Sequence, residues 1–275
     1  MPRFSWRQKR LDEQVAIVTG ANTGIGKASA LDLAERGAKV IMACRNLDRG
    51  NEAADDIRQT GVEASNVVVM KLDLVDYQSI RDFVNEFNSS KPNASPSPLE
   101  LSWALFKKRT LTPEGNEMTF QVNHLVYASL LPFPGSGVTT YALHPGVFKT
   151  ELVRDVKDSC FFRFLSCLTS AFTKSAANGA ATTIYCATAD DIPSGEYYSD
   201  CKRKNLKSIA RNPSAAAELW KVSEKLVGLL PSAEGEDQND RKTLTFQKAD
   251  CDIKCTLALI GQNVMIEKVP ELLQD

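Results

Sequence analysis

The sequence predicts an α/β protein built on a doubly wound parallel sheet, truncated by the loss of central elements. Three observations lead there. Apolar, β-branched runs alternate with amphipathic helices over about the first ninety residues, a glycine-rich loop joins the first run to the first helix, and a proline-glycine corner closes a later run.

The elements follow in order. "VAIVTG", from Val15 to Gly20, is a short β-branched run ended by glycine, and "KASALDLAERGA" has apolar residues at helical spacing with Gly37 as its stop. "KVIMACR" from Lys39 is a second apolar run, "RGNEAADDIRQTG" is a polar-faced helix closed by Gly61, and "NVVVMKLDL" is a third run. A further helix begins in "VDYQSIRDFVNEF". Strands and helices alternating at this spacing require right-handed crossovers between parallel strands.

The first strand and helix are joined by "TGANTGIG", which holds Gly20, Ala21, Asn22, Thr23, Gly24, Ile25 and Gly26. Glycine lets the backbone turn sharply and approach a pyrophosphate, while the free N–H groups and positive dipole end of the following helix stabilise its charge. The spacing differs from GxGxxG, so the reading rests on mechanism and on the strand-to-helix position; the alternative is a plain structural turn. At the end of the second strand, where a carboxylate would bind a ribose 2′-hydroxyl, the chain reads "ACRN". Arg45, followed by Asn46, offers a forked cation for a 2′-phosphate, which favours NADP(H) over NAD; the alternative is a solvated surface arginine. Asp73, next to Leu74 at the end of the third strand, lies where it could bond an adenine or equally cap the next helix.

Composition narrows the partners. With 33 basic and 34 acidic side chains the formal charge is −1, which gives no field for nucleic acid or an anionic membrane. Seven cysteines form no CxxC pair, and only two histidines accompany them, so reduced thiols are expected and no metal site. Cys251 and Cys255 sit four apart but have no second pair. "MPRFSWRQKRLDEQ" lacks an apolar stretch behind its basic residues, so neither a signal peptide nor a transmembrane anchor is expected there. The longest apolar block, Cys160 to Phe172, is too short to span a bilayer and contains Arg163. It could cover a cleft or make a peripheral membrane contact. The expected location is therefore cytoplasmic, with the cytosolic face of the endoplasmic reticulum as the place for such a contact.

"TGANTGIGKASALDLAERGAKVIMACRN", "VVVMKLDL", "VNHL" and "ALHPGVFKTEL" together resemble the short-chain dehydrogenase/reductase superfamily, most closely its retinol dehydrogenase branch. The resemblance covers about residues 12–88 and 112–230, and "SGEYYSDCKRKN" and "AAELWKVSEKLVGLL" extend it. It implies one Rossmann-like domain over 12–230, followed by an atypical tail at 231–275, and hydride transfer between NADPH and a lipophilic aldehyde or alcohol such as a retinoid. It also implies a serine that positions the carbonyl and a tyrosine whose pKa is lowered by a lysine four residues later on one helix. Asn123 in "VNHL" matches the asparagine that orders a proton-relay water. Pro145 and Gly146 match the loop over the nicotinamide, and Thr150 the group that reaches its amide.

The remaining catalytic groups should lie between Asn123 and Pro145, only 22 positions apart. The rest of one helix, a strand, a second helix and another strand need on the order of 40 to 50 residues. The span contains no lysine, so Tyr127 and Tyr141 stand without a partner, and a deletion between 126 and 136 is expected. One YxxxK exists, Tyr198 to Lys202, but it follows the segment resembling the final strand and reads as a coincidental surface pair. A second departure is the irregular insert 88–111, where the family has a buried strand and an Asn-Asn-Ala-Gly loop. There "LELSWALF" could replace the strand or form a short helix. Asn88 and Asn93 fit glycosylation acceptors only in a lumenal protein. The closing segment has no counterpart in the family and could pair as a small strand element or stay loosely attached.

Two interrupted places point to an alternative or defective product of a retinol dehydrogenase-like gene. Three readings compete: an active NADP-dependent reductase, a cofactor-binding protein without chemistry that acts through a second copy of the chain, and an unstable by-product. Loss of the proton donor alone would slow the reaction by about 10²- to 10⁴-fold.

Overall fold

The computed structural model describes residues 9–90, 99–100, 110–126, 139–145, 176–190, 192–205, 212–228 and 256–257. Its first sheet is parallel: β1 (Val15–Thr19), β2 (Lys39–Cys44) and β3 (Val67–Lys71), in the order β1-β2-β3. The register runs from Val15 opposite Lys39 to Thr19 opposite Ala43, and from Val40 opposite Val67 to Cys44 opposite Lys71. Every residue of β1 is buried, and β2 is buried from Val40 onward. That suits strands covered on both faces and explains their unbroken apolar runs. β3, at the sheet's edge, buries only Val67 and Met70.

Helices α1 (Gly24–Glu35), α2 (Leu47–Arg58) and α3 (Tyr77–Ser90) complete this half. α1 stops where Gly37 takes a φ of +97°, with Gly37 N donating to Ala34 O at 2.9 Å and Ala38 N to Leu33 O at 3.1 Å. This is a Schellman ending, and it satisfies carbonyls the helix would otherwise leave open. α3 is started by Asp76, whose Oδ1 accepts from Gln78 N at 2.8 Å and whose carbonyl accepts from Ile80 N at 3.2 Å. The capping role that the sequence also allowed for Asp73 therefore falls to Asp76. α3 continues to Ser90, so Asn88 is an exposed helical residue, and 91–98 and 101–109 of the expected insert lie outside the described residues.

Strand β4 (Leu99–Glu100) lies beside β1 and pairs in parallel with β8 (Thr256–Leu257). Of the two forms open to "LELSWALF", its first two residues take the strand, and the tail returns to pair with them. Further on, Leu111 bridges Glu117, and a helical turn α4 (Met118–Phe120) passes into a π-helical stretch (Gln121–Leu125). The segment "QVNHL" is thus helical with a wider winding, a local irregularity common at functional sites. Gln121 is fully buried yet satisfied: its Oε1 accepts from Thr112 Oγ1 at 2.7 Å and Asn116 Nδ2 at 3.0 Å. Its Nε2 donates to Val75 O at 2.9 Å, tying this segment to the corner between β3 and α3.

A second sheet holds β5 (Tyr141–His144) parallel to β6 (Glu196–Ser199), with β7 (Lys202–Arg203) antiparallel to β6. Helix α5 (Ala176–Thr188) packs on α1 and also touches β5 and β6. Their buried faces carry small residues, Gly26, Ser29 and Ala30 on α1 and Gly179, Ala180 and Thr183 on α5, which permits close helix approach. One continuous hydrophobic cluster joins Val15, Val40 and Leu33 to Leu143, Ile184 and Tyr198. Each such buried side chain contributes about 1.5–3 kcal/mol.

Helix α6 (Pro213–Leu226) starts with Asn212, whose Oδ1 accepts from Ser214 N and Ala215 N, and with Pro213 as its first residue. Ser223 pins it to the π-helical stretch: its Oγ donates to Leu219 O at 2.8 Å and lies 2.8 Å from His124 Nε2. With the serine proton so used, His124 Nε2 is the donor of that pair. Among the described residues, no helix is long and apolar enough to cross a membrane, and no group of His, Cys, Asp and Glu side chains is placed to hold a metal ion.

Candidate cofactor site

The carboxyl ends of β1, β2 and β3 lie on one edge of the parallel sheet, and each is followed by one of the segments singled out in the sequence. After β1, Gly20 and Gly24 take φ values of +62° and +58°, a region open to glycine but strained for other residues. Gly20 N donates to Ala43 O at 3.0 Å, fastening the loop to β2. A Cβ on Gly26 would stand 2.5 Å from Gly20 O, so the loop folds onto the helix start as closely as a backbone can.

α1 begins with an extended Thr23 that makes no side-chain capping bond, and no acidic residue lies in its first turn. Its leading amides are left for an anion, and the helix dipole favours one there. Thr19, at the end of β1, keeps a buried hydroxyl without a hydrogen-bond partner among the described residues. A pyrophosphate fits this donor set: a narrow glycine cradle, uncapped amides and an unspent hydroxyl. Ala21 is buried, while Asn22, Thr23 and Gly24 are half-buried, and Ile25 seats the helix in the core.

At the end of β2, Arg45 is exposed and its guanidinium has no partner among the described residues, while no carboxylate occupies position 45 or 46. Asn46 caps α2, its Oδ1 accepting from Arg49 N at 2.9 Å, so its side chain already has a structural duty. At the end of β3, Asp73 Oδ1 accepts from Val75 N at 3.1 Å, and Asp73 N donates to Ser79 Oγ at 2.9 Å. The carboxylate thus shapes its own loop with one oxygen. Leu74 is half-buried beside it.

Pro145 is buried at the end of β5, and Asn123 is half-buried on the π-helical stretch. Gly146 and Thr150 lie outside the described residues, as do the apolar block 160–172, Tyr127 and the pair Cys251 and Cys255. The structure therefore gathers the loop, Arg45, Asn46, Asp73 and Leu74 on one sheet edge. Asn123 and Pro145 stand on separate elements.

Tyr198 and Lys202 fall on a β-hairpin. Asp200 and Cys201 take φ values of 53° and 55° and make its two-residue turn, with Ser199 opposite Lys202 and Tyr198 opposite Arg203. Tyr198 is 1% exposed, donates its hydroxyl to Pro193 O at 3.0 Å, and meets the Tyr141 ring edge-on at 5.8 Å between centroids. Burial first, then the neighbouring Cys186, Tyr185, Tyr141 and Glu196, push its hydroxyl pKa up, the direction opposite to what a proton donor requires. Only Lys202 is on the surface; the expected surface pair is in fact one core aromatic and one solvated amine.

Two neighbours of the site escaped the sequence reading. Cys44 lies beneath the glycine loop, where burial pushes its thiol up to about 11 against the opposing pull of the Ala21 and Asn22 amides. Lys71, opposite Cys44 in the sheet, donates its Nζ to Arg45 O at 2.5 Å. The signal for both was register: the last residues of adjacent parallel strands are neighbours.

A family model described as short chain dehydrogenase matches residues 14–91. Retinol dehydrogenase 12 of Homo sapiens is 34% identical over 283 aligned positions, which cover 80% of this chain and 88% of that protein. Retinol dehydrogenase 11 of Homo sapiens is 32% identical and covers 80% of this chain and 87% of its own. Among solved structures, a gluconate 5-dehydrogenase from Burkholderia cenocepacia J2315 in complex with NADP and tartrate shares the fold with a TM-score of 0.51, at 20% identity over 71% of this chain and 96% of its own. A protein from Mycobacterium Paratuberculosis does so with a TM-score of 0.53, at 23% identity over 80% of this chain and 95% of its own. The strand-loop-helix order, the parallel sheet and these likenesses agree: the chain belongs to the short-chain dehydrogenase/reductase family of nicotinamide-dependent oxidoreductases, in its retinol dehydrogenase-like branch.

Proposed function

We propose that this chain binds NADP(H) at the ends of β1, β2 and β3, and that its turnover of a retinoid or similar lipophilic aldehyde or alcohol is impaired. One observation carries the reading: the cradle around Gly20, Gly24 and Gly26 is built and uncapped, while the one tyrosine with a lysine four residues on is buried in a hairpin. In this reading the loop amides hold the pyrophosphate, Arg45 the 2′-phosphate, and Asp73 and Leu74 the adenine. Pro145, Gly146 and Thr150 flank the nicotinamide.

When bound, the dinucleotide supplies or accepts the hydride. The chain's own task is to give or take a proton at the substrate oxygen, and Asn123 is the remnant of that machinery. Without a tyrosine activated by lysine, the step loses about 10²- to 10⁴-fold. A deletion is supported by the alignment with retinol dehydrogenase 12. It spans 283 positions, whereas 80% of 275 residues is about 220, so about 63 positions face gaps in this chain.

A second reading, an unstable variant, is favoured by α6. Its Leu219, Val222 and Leu226 are 47%, 47% and 44% exposed on one helical face. A peripheral membrane contact through 160–172 at the cytosolic face of the endoplasmic reticulum, and a second copy of the chain, are the partners this proposal admits.

Titration of the purified chain with NADPH and NADH, read by intrinsic fluorescence, with retinal reduction followed in parallel, tests the proposal. Saturable NADPH binding with negligible retinol formation is expected. Absence of binding, with a broad melt that NADPH does not shift, would favour the unstable variant; rapid retinol formation would overturn the impairment.

A further inference from the structure

From the carboxyl edge of the sheet we infer that Lys71 is a specificity-determining residue: its ammonium fixes the Arg45 corner and supplies the second positive charge that a ribose 2′-phosphate requires. The inference rests on the proposed NADP(H) reading.

The physical case starts with charge. A phosphate monoester carries about −1.5 to −2 at neutral pH, and one guanidinium balances only part of it. Arg45 alone is exposed, on a long side chain that must lose rotamer freedom to grip a ligand. Lys71 changes both terms. It is the last residue of β3 and stands opposite Cys44, the last residue of β2. From there its Nζ reaches one residue further along the neighbouring strand and donates to Arg45 O at 2.5 Å. Leu72 N, next in the chain, donates to Cys44 O at 3.1 Å, so the turn out of β2 is held from two sides.

An ammonium has three donors, and the Arg45 carbonyl takes one, leaving two for phosphate oxygens. Lys71 is exposed, so its charge is available at that corner rather than spent in the core. The first turn of α2 carries both Asp48 and Arg49 and so adds no net charge to this corner. Asp73, two residues beyond Lys71, has its Oδ1 turned to Val75 N.

The experiment measures dissociation constants for NADPH and NADH on the wild-type chain, Lys71→Met, Lys71→Arg and Arg45→Ala, by fluorescence titration at low and high salt. Lys71→Met is expected to weaken NADPH by about tenfold or more, the order of one charge-assisted hydrogen bond, while NADH changes by less than about twofold. Its NADPH affinity should also depend less steeply on salt, and Lys71→Arg should restore most of the preference. A merely structural role would weaken both dinucleotides alike, and that result would overturn the inference. If the wild-type chain prefers NADPH and Arg45→Ala removes the preference but Lys71→Met does not, only the role of Lys71 falls. If the wild-type chain shows no preference, the NADP(H) reading falls and the inference falls with it.

Discussion

The ends of β1 to β3 and the hairpin of β6 and β7 are packed against the same hydrophobic cluster, yet they use their polar groups differently. Along the first edge, among the described residues, no side chain caps the α1 amides and the Thr19 hydroxyl has no partner, while Arg45 is exposed. In the hairpin, the Tyr198 hydroxyl is bound to Pro193 O, and the Tyr141 hydroxyl reaches Ile192 O at 3.3 Å. A site must keep donors and charges unspent, whereas a core must satisfy them. By that criterion the first region is prepared for a ligand and the second only for stability.

The largest expected effect is at Gly26. Gly26→Val would drive a side chain into Gly20 O, where even a Cβ would lie 2.5 Å away, and should cost about 1–3 kcal/mol or more while abolishing the NADPH-induced rise in Tm. Equal NADPH binding by this variant would break the assignment of the loop. Next comes Arg45→Ala, expected to weaken NADPH by about 10- to 100-fold, the scale of a hydrogen bond to a charged group, with NADH little changed. Titration with both dinucleotides decides it.

On the hairpin side, Tyr198→Phe should lower stability by about 0.5–1.5 kcal/mol through the lost bond to Pro193 O, and leave any residual retinal reduction unaltered. Lys202→Ala, at an exposed position, should stay within about 0.5 kcal/mol of wild type by denaturant melt. Loss of activity in either variant would place the hairpin in the catalytic machinery.

The smallest effect concerns pH. Burial lowers the His124 pKa below its ordinary 6.5, so below that pH the unfolded chain binds more protons than the folded one. Stability from this group is therefore present above the unfolded value and is lost as pH falls from 6.5 toward the folded value. Melts at pH 7 and 5.5 should show the loss, and His124→Gln should flatten it.

Much of the first region was legible in the sequence. Continuous β-branched runs fix buried parallel strands, and Gly37 fixes a helix end, because these are local steric requirements. The 22 positions between Asn123 and Pro145 bound what the chain can hold there, and the proposed deletion rests on that count. What the sequence did not disclose depends on contacts far apart in the chain. Lys71 meets Arg45 only through strand register, Gln121 meets Val75 across 46 residues, and Tyr198 is a core residue because α5 and β5 cover it. Asp73 and Asp76 were both suitable caps by type; the geometry of the turn chose Asp76.

A single-turnover experiment tests the account most directly: excess protein with bound NADPH is mixed with retinal, and retinol is quantified against time for the wild-type chain and Tyr198→Phe. NADPH is expected to bind, and retinol to form at no more than about one hundredth of the rate expected with an intact proton donor, equally in both proteins. Rapid, stoichiometric retinol formation that disappears in Tyr198→Phe would contradict it.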